Sequence, residues 1–328
     1  MEFNIDQRNP PELTEYPCYG IGPKPITLSW SRLSDWVKCN YRVKLIYEGK
    51  KTKTTNARNF LAGKVTDLCM RSALDKADKD SEGRLLRFSK DELMAPLEET
   101  WNKAINNAEK NTVFKWTDGM TPEADQKRIL NSVIDTLGKL TPIIQQKIVG
   151  HRFIPEFRPK NMPVIGIPGP SGETCYISLF LAVDCAVQLE EDQGNPEGLG
   201  KWGLYDLKTT STVEYLNKTL PQLVFYDIAF KALTGQNPVD HALWAPLVNP
   251  AIRPITVTDE HRRMLMNWII SYCHGVWAGQ ANFTNDETNC YTCPTKKACP
   301  KITNPISKDE QGISRVYFGD NSGGMLHG

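Results

Sequence analysis

The 328-residue sequence predicts an α/β fold, a core sheet flanked by helices. Two observations carry the prediction. Between residues 29 and 150, apolar residues recur at helical spacing in several separate runs, while from His151 onward three stretches have the composition and alternation of strands. A helix pattern, a further strand and a long helix follow in turn to residue 278.

Residues 1–25 read as an irregular, proline-rich arm. SWSRLSDWVKCNYRVKLIY, residues 29–47, has Leu33, Trp36 and Val37 on one helical face, with Ser29 or Ser31 as N-cap. After the basic link EGKKTKTTN, Ala57 to Leu74 reads as a second helix. Residues 80–150 form an inserted helical layer, broken near Gly119 and Pro122. HRFIPEFRP, TCYISLFLAVDCAVQLE and KWGLYDLKTT read as three strands, joined by turn-rich IPGPSGE and EEDQGNPEGLG. Leu220 to Leu233 is a helix with Thr219 as N-cap, Pro221 in its first turn and Gly235 as C-cap. HALWAPLV is a strand, residues 258–278 a helix, and a cysteine-bearing segment leads to the tail at 301–328.

Composition narrows the function classes. A hydrophobic content of 40% with 23% charged residues describes a soluble globular chain with room for one elaborated domain or two small ones. The 39 Lys+Arg nearly balance 38 Asp+Glu, so bulk charge points to no polyanionic partner, and nucleic-acid contact needs a local patch. No apolar run approaches the roughly 20 residues of a membrane span, and MEFNIDQRNPPELTEYP has no signal-like apolar region. The expected location is therefore cytoplasmic, the host cytoplasm if the protein is virus-encoded, with no membrane partner. Nine cysteines in that setting point to buried thiols or metal ligands.

The strand KWGLYDLKTT sends Leu204, Asp206 and Lys208 to one face, because alternate side chains of an extended chain point the same way. In the preceding strand Asp184 shares a face with Ala182 and Ala186, which leave space around it, while Cys185, Val187 and Leu189 face the other way. A hairpin through residues 190–200 would bring Asp184 beside Asp206. Two carboxylates with the Leu207 carbonyl make a hard, all-oxygen site suited to Mg²⁺ or Mn²⁺. A metal there would polarise a phosphate and acidify a bound water, with Lys208 to orient or help deprotonate that water. Read alone, D-x-K is equally a strand-end ion pair.

Asp184, 21 intervening residues, then Asp206-Leu207-Lys208, resembles the PD-(D/E)XK nuclease superfamily. Gln222 and Tyr226, at i and i+4 on the next helix, resemble the Q-x-x-x-Y motif of its RecB-like branch. The resemblance covers most of residues 27–300. It implies a restriction-endonuclease-like core, a central mixed sheet flanked by helices, in one domain over 26–300 with its catalytic sheet at 151–247. Asp184, Asp206, Lys208, Gln222 and Tyr226 are then the catalytic set. The branch usually carries a metal-binding His about four residues after a Gly. Here AGKVTDLCM has Gly63 and then Asp67, so Asp67 stands as the further ligand. Glu156 is a candidate additional acid.

NCYTCPTKKACPK carries Cys290, Cys293 and Cys299, three thiols within ten residues, which argues for a metal centre; Cys39 fits as the fourth ligand. This pattern in segment 288–300 with Cys39 looks like the iron–sulfur staple of AddB-type and CRISPR-associated RecB-like exonucleases. It implies a structural [4Fe–4S] cluster closing a loop of about 250 residues, with four-cysteine zinc as the rival. Cys18, Cys69, Cys175, Cys185 and Cys273 read as ordinary thiols.

The resemblance implies a Mg²⁺- or Mn²⁺-dependent deoxyribonuclease, an exonuclease on DNA ends or single strands, in recombination, repair or DNA processing. Lys50, Lys51, Lys53 and Arg58 form a basic patch ahead of Asp67 for phosphate contacts, and Lys296, Lys297 and Lys301 a second. No P-loop is present, so any unwinding belongs to a recombination or helicase partner. The alternative is a non-catalytic DNA-binding subunit that keeps the nuclease fold.

Overall fold

The alternation in residues 201–207 builds the strand on which the largest sheet is centred. The structure, a computed structural model, describes residues 26–47, 55–110, 114–169, 172, 174–190, 200–277, 280–282, 290, 293, 295, 299 and 315–317. Among these, the first elements are β1 (Thr27–Ser29), α1 (Trp30–Lys38), α2 (Asn40–Tyr47), β2 (Thr55–Asn56) and α3 (Ala57–Lys76). The helical layer follows as α4 (Lys90–Met94), α5 (Leu97–Glu109), β3 (Phe114–Lys115) and α6 (Pro122–Lys147). Next come β4 (Arg152–Phe157), β5 (Val164–Pro168), β6 (Thr174–Phe180), β7 (Val183–Glu190) and β8 (Lys201–Leu207). The rest are α7 (Val213–Asn217), α8 (Leu220–Thr234), β9 (Asp240–Trp244), β10 (Ile252–Pro254), α9 (Asp259–Trp277), β11 (Gln280–Asn282) and β12 (Arg315–Tyr317).

The chain divides into two compact units. The first is built from Thr55–Lys160 and Leu181–Asp259. Its mixed sheet has the order β10-β9-β8-β7-β4, with β8 parallel to β9 and antiparallel to β7. One sheet face contributes Cys185, Val187, Tyr205, Leu207, Ala242 and Trp244 to a core completed by α3, α5 and α6. Tyr205 stacks on Trp244 there, with ring centroids 5.0 Å apart. The opposite face receives α8, where Phe230 meets Phe157 and Trp202. Beneath α8, Asp227 lies 3.0 Å from His241 Nε2 of β9, a buried pair that ties the helix to the sheet. Sheet flanked by helices is the expected fold class.

The second unit contains α1, α2, most of α9 and a three-stranded sheet, β1-β6-β5. Trp36 of α1 packs edge-on to Tyr272 of α9, centroids 5.4 Å apart.

Three expectations are corrected. The single strand expected over residues 174–190 is two, because β6 pairs with β1 and β5 while β7 pairs with β4 and β8, so the chain changes sheets at Leu181–Ala182. The single helix over 29–47 is interrupted at Cys39, whose backbone is extended at φ −169° and ψ 110°. Its N–H still closes α1 on Asp35, its carbonyl accepts from Arg42 N–H to start α2, and an Asp35–Arg42 ion pair at 2.8 Å bridges the break. Thr219 is an N-cap by position only, since its hydroxyl donates to the Leu216 carbonyl at 2.6 Å. The expected Gly235 cap is present in left-handed conformation at φ 79°, which costs glycine little. Strand β5, VIGIP, was missed because its glycine and proline read as turn signals.

Candidate active site

The β7–β8 register pairs Cys185 with Tyr205 and Ala186 with Leu204, so one further step sets Asp184 against Asp206. Asp184 Oδ2 accepts a 2.8 Å hydrogen bond from the Leu207 amide. That bond fixes the carboxylate where the two strands leave the ladder. Asp206 is almost fully buried and forms an ion pair with Lys208. Lys208 Nζ also donates to Gln222 Oε1 at 3.1 Å. The same Gln222 amide donates through Nε2 to Asp206 Oδ1 at 3.4 Å and to the Tyr226 hydroxyl at 2.8 Å. Helix α8 supplies both polar residues because their four-residue spacing puts them on one face. The five residues of the expected catalytic set thus come together in the first unit.

Electrostatics here are set by burial and by crowded carboxylates. Burial is the main force that raises the Asp184 pKa well above the usual carboxylate range, and Asp206 and Asp67 add repulsion. Burial opposes charge on Lys208, yet Asp206 and Asp184 outweigh it and hold the ammonium above the ordinary lysine value. Lys208 is accordingly a proton donor and a positive charge at neutral pH. The Tyr226 hydroxyl is pushed up by burial first and then by Asp206, so it stays protonated.

Asp67 points to a different partner from the one expected. Arg71, one turn further along α3, donates from Nε to Asp67 Oδ1 at 2.7 Å and pairs through Nη2 with Oδ2 at 2.5 Å. The same guanidinium pairs with Glu156 and lies 4.0 Å from Asp184 Oδ1. Burial raises the Asp67 pKa, while Arg71 works against it. Glu156 is also held by Arg158 at 2.6 Å. Its backbone has a positive φ of 48°, in β4 between Pro155, paired with Cys185, and Phe157, paired with Val183. Glu156 therefore faces the Asp184 position at an interruption of the ladder, in a conformation that costs on the order of 1–3 kcal/mol for a non-glycine residue. Arg71 was not foreseen as part of the site. Its signal was the Asp67-x-x-x-Arg71 spacing, an i,i+4 pair that any exposed helix also carries.

Among the described residues, no three His, Cys, Asp or Glu side chains converge as a set able to hold a metal. Around Asp67 and Glu156 the reason is visible, since Arg71 takes up their oxygens. Asp184 and Asp206 remain as two adjacent hard oxygen donors whose repulsion is only partly offset by Lys208. A divalent hard cation fits that donor chemistry.

A cavity of about 530 Å³ opens beside Lys208, lined by Arg58, Asn59, Thr209, Thr210, Ser211 and Tyr215 among others. Its lining is rich in hydroxyls and holds the cations Arg58 and Lys208 with no carboxylate among the described residues. Gly63 borders the same loop, and a Cβ there would come within 3.3 Å of the Thr209 hydroxyl. Of the expected basic patch, Arg58 lines this cavity, whereas Lys50, Lys51 and Lys53 lie outside the described residues, as do Lys296, Lys297, Lys301 and Cys18.

In the second unit, Cys299 is buried in a small cluster with Tyr41 and Leu45, and Cys39 packs against it. The Cys293 amide donates to the Cys290 carbonyl at 3.3 Å, which holds the backbone of these two cysteines close together. Cysteine sulfur suits iron–sulfur or zinc ligation, although these four described cysteines do not converge as a set able to hold a metal. Cys69, Cys175, Cys185 and Cys273 are buried thiols, and burial pushes the Cys69 thiol up to about 11. No helix among the described residues is long and apolar enough to cross a membrane.

No curated protein matches the chain. A family model of the PD-(D/E)XK nuclease superfamily, whose members are typically metal-dependent nucleases, matches residues 27–300. With the acid–acid–lysine hairpin on a mixed sheet flanked by helices, that match over most of the chain shows that it belongs to the PD-(D/E)XK nuclease superfamily.

Proposed function

We propose that the protein is a RecB-like DNA nuclease that uses Mg²⁺ or Mn²⁺ and acts on DNA ends or single strands, most simply as an exonuclease. The observation that carries this reading is the connected set Asp184, Asp206, Lys208, Gln222 and Tyr226. Asp184 and Asp206, with the Leu207 carbonyl, would hold the ion. When bound, it supplies an acidified water and charge stabilisation at the phosphate. Lys208, kept cationic by its two acidic neighbours, orients the attacking water and offsets negative charge as that water's oxygen displaces the leaving oxygen in line at phosphorus. Gln222 fixes the direction of Lys208 by accepting a hydrogen bond from it, and Tyr226 fixes Gln222 by accepting one from its Nε2. The Arg58-bearing cavity beside Lys208 suits the adjoining sugar–phosphate chain.

Cys39, Cys290, Cys293 and Cys299 would hold a structural [4Fe–4S] cluster, supported by the meeting of Cys39 and Cys299 in one cluster of side chains. Recombination, repair or another DNA-processing setting, with a separate unwinding partner, agrees with this chemistry. One observation favours a second reading, a DNA-binding subunit without catalysis: Arg71 sits among the acids where an active site would place metal.

The deciding experiment is cleavage of end-labelled single- and double-stranded DNA by anaerobically purified protein in Mg²⁺ or Mn²⁺, with Lys208→Ala alongside. Degradation by the wild type alone supports the nuclease. Binding without cleavage by a folded wild type supports the subunit.

A further inference from the structure

Four carboxylates gather at the β4–β7–β8 end of the sheet: Asp67, Glu156, Asp184 and Asp206. Three cations meet them, Arg71, Arg158 and Lys208. With all seven ionised, four negative and three positive charges leave the cluster at −1. One divalent ion would bring it to +1, and a second would bring it to +3, a repulsive excess in a half-buried site.

The positions of the charges are as informative as their sum. Arg71 engages Asp67 through two nitrogens and Glu156 through a third, which is the full fork of a guanidinium. It approaches Asp184 no closer than 4.0 Å and leaves that carboxylate to the Leu207 amide. Glu156 is held at a positive φ in an interrupted strand, so backbone conformation is spent on bringing its carboxylate to the two arginines. Asp67 and Glu156 lie close to Asp184, Glu156 opposite it in the ladder and Asp67 near enough to repel it, but their ion pairs are with the arginines.

We infer that Arg71 is a resident cation of this active site, clamped by Asp67 and Glu156, and that it limits the acid cluster to a single divalent ion at Asp184 and Asp206. Asp67 is then a positioning residue for Arg71 and not a metal ligand. The fixed guanidinium stands 4.0 Å from Asp184, where its positive charge would oppose a second divalent ion. This rests on the metal-site reading above, and it is separable from it.

The test is Mn²⁺ titration of the full chain, followed by calorimetry and by the electron paramagnetic resonance of unbound Mn²⁺, with circular dichroism to verify folding. The wild type is expected to bind one Mn²⁺. Asp206→Asn, which removes a ligand, weakens binding at least about tenfold more than Asp67→Asn or Glu156→Gln, which change only the cluster's charge. Arg71→Met admits a second Mn²⁺ or binds the first about five- to tenfold more tightly. Arg71→Lys, which keeps a charge there, holds wild-type stoichiometry and serves where the methionine variant does not fold. Loss of Mn²⁺ binding in Asp67→Asn equal to that in Asp206→Asn overturns the inference and leaves the metal site standing. A folded wild type that binds no Mn²⁺ removes the metal site itself, and the inference with it.

Discussion

Gln222 accepts a 3.1 Å hydrogen bond from Lys208, so a helix and a strand end that are joined by α7 and its flanking loops share one proton donor. Lys208 is thereby held by two groups of different kinds, a carboxylate that fixes its charge and an amide that fixes its direction.

That division predicts unequal losses. Lys208→Ala should lower metal-dependent DNA cleavage by about 10²–10⁴-fold, and Gln222→Ala by about 10–100-fold, mostly in the turnover number. Because Gln222 acts through Lys208, the double variant should be no worse than Lys208→Ala alone. Single-turnover rates on end-labelled DNA measure all three. Independent, multiplying losses would show that Gln222 contacts substrate by itself.

Much of this arrangement was legible in the sequence because it depends on local periodicities. A period of two put Asp206 and Lys208 on one face, and a spacing of four put Gln222 beside Tyr226. The sheet change at Leu181–Ala182 was not legible, since the apolar alternation runs unbroken through it and only long-range pairing decides which sheet each half joins. Arg71 was hidden for a related reason. An i,i+4 ion pair on a helix carries no mark of the third carboxylate, Glu156, that tertiary folding brings to it. His241 and Asp227 are likewise a pair only once α8 lies on β9.

Acid should loosen the helical layer through Asp125. Its side chain is fully buried, accepting from the Thr117 amide at 2.8 Å and from Arg128 at 2.7 Å. Burial alone would raise its pKa, but the Thr117 amide and Arg128 hold it below the ordinary carboxylate value. A depressed folded-state pKa means stability that is present above the unfolded value near 3.8 and lost as pH falls through the folded one. Asp125→Asn should therefore destabilise the protein by about 1–3 kcal/mol at pH 7. The gap from wild type should narrow below about pH 4. Thermal melts of both proteins across that range check it.

Gly275 should tolerate no side chain. A Cβ there would fall 2.3 Å from Trp36 Cη2, and the indole is held edge-on against Tyr272. Gly275→Ala should cost about 1–3 kcal/mol through overpacking. Adding Trp36→Leu to Gly275→Ala, which removes the obstructing ring, should cost less than the sum of the two single changes. Denaturant unfolding of the four proteins measures the coupling. Strict additivity would mean that the helix shifts to admit the methyl group.

The cysteine cluster makes the last prediction. Cys39 lies in the extended break between α1 and α2, and its packing with Cys299 joins residues that are 260 positions apart in the sequence. A metal bound across that span would restrict the unfolded chain as any long-range cross-link does, to the extent of about 4 kcal/mol or more. Anaerobically purified protein should carry about four iron and four sulfide per chain, and Cys39→Ser or Cys299→Ser should lose both and melt at lower temperature. The iron-free protein should keep its far-ultraviolet dichroism from the first unit, whose hydrophobic core of α3, α5, α6 and the five-stranded sheet includes none of these four cysteines. About one zinc in place of iron would keep the staple and change its metal. No metal in wild-type protein, with Cys39→Ser as stable as wild type, would reduce Cys39 and Cys299 to packing residues.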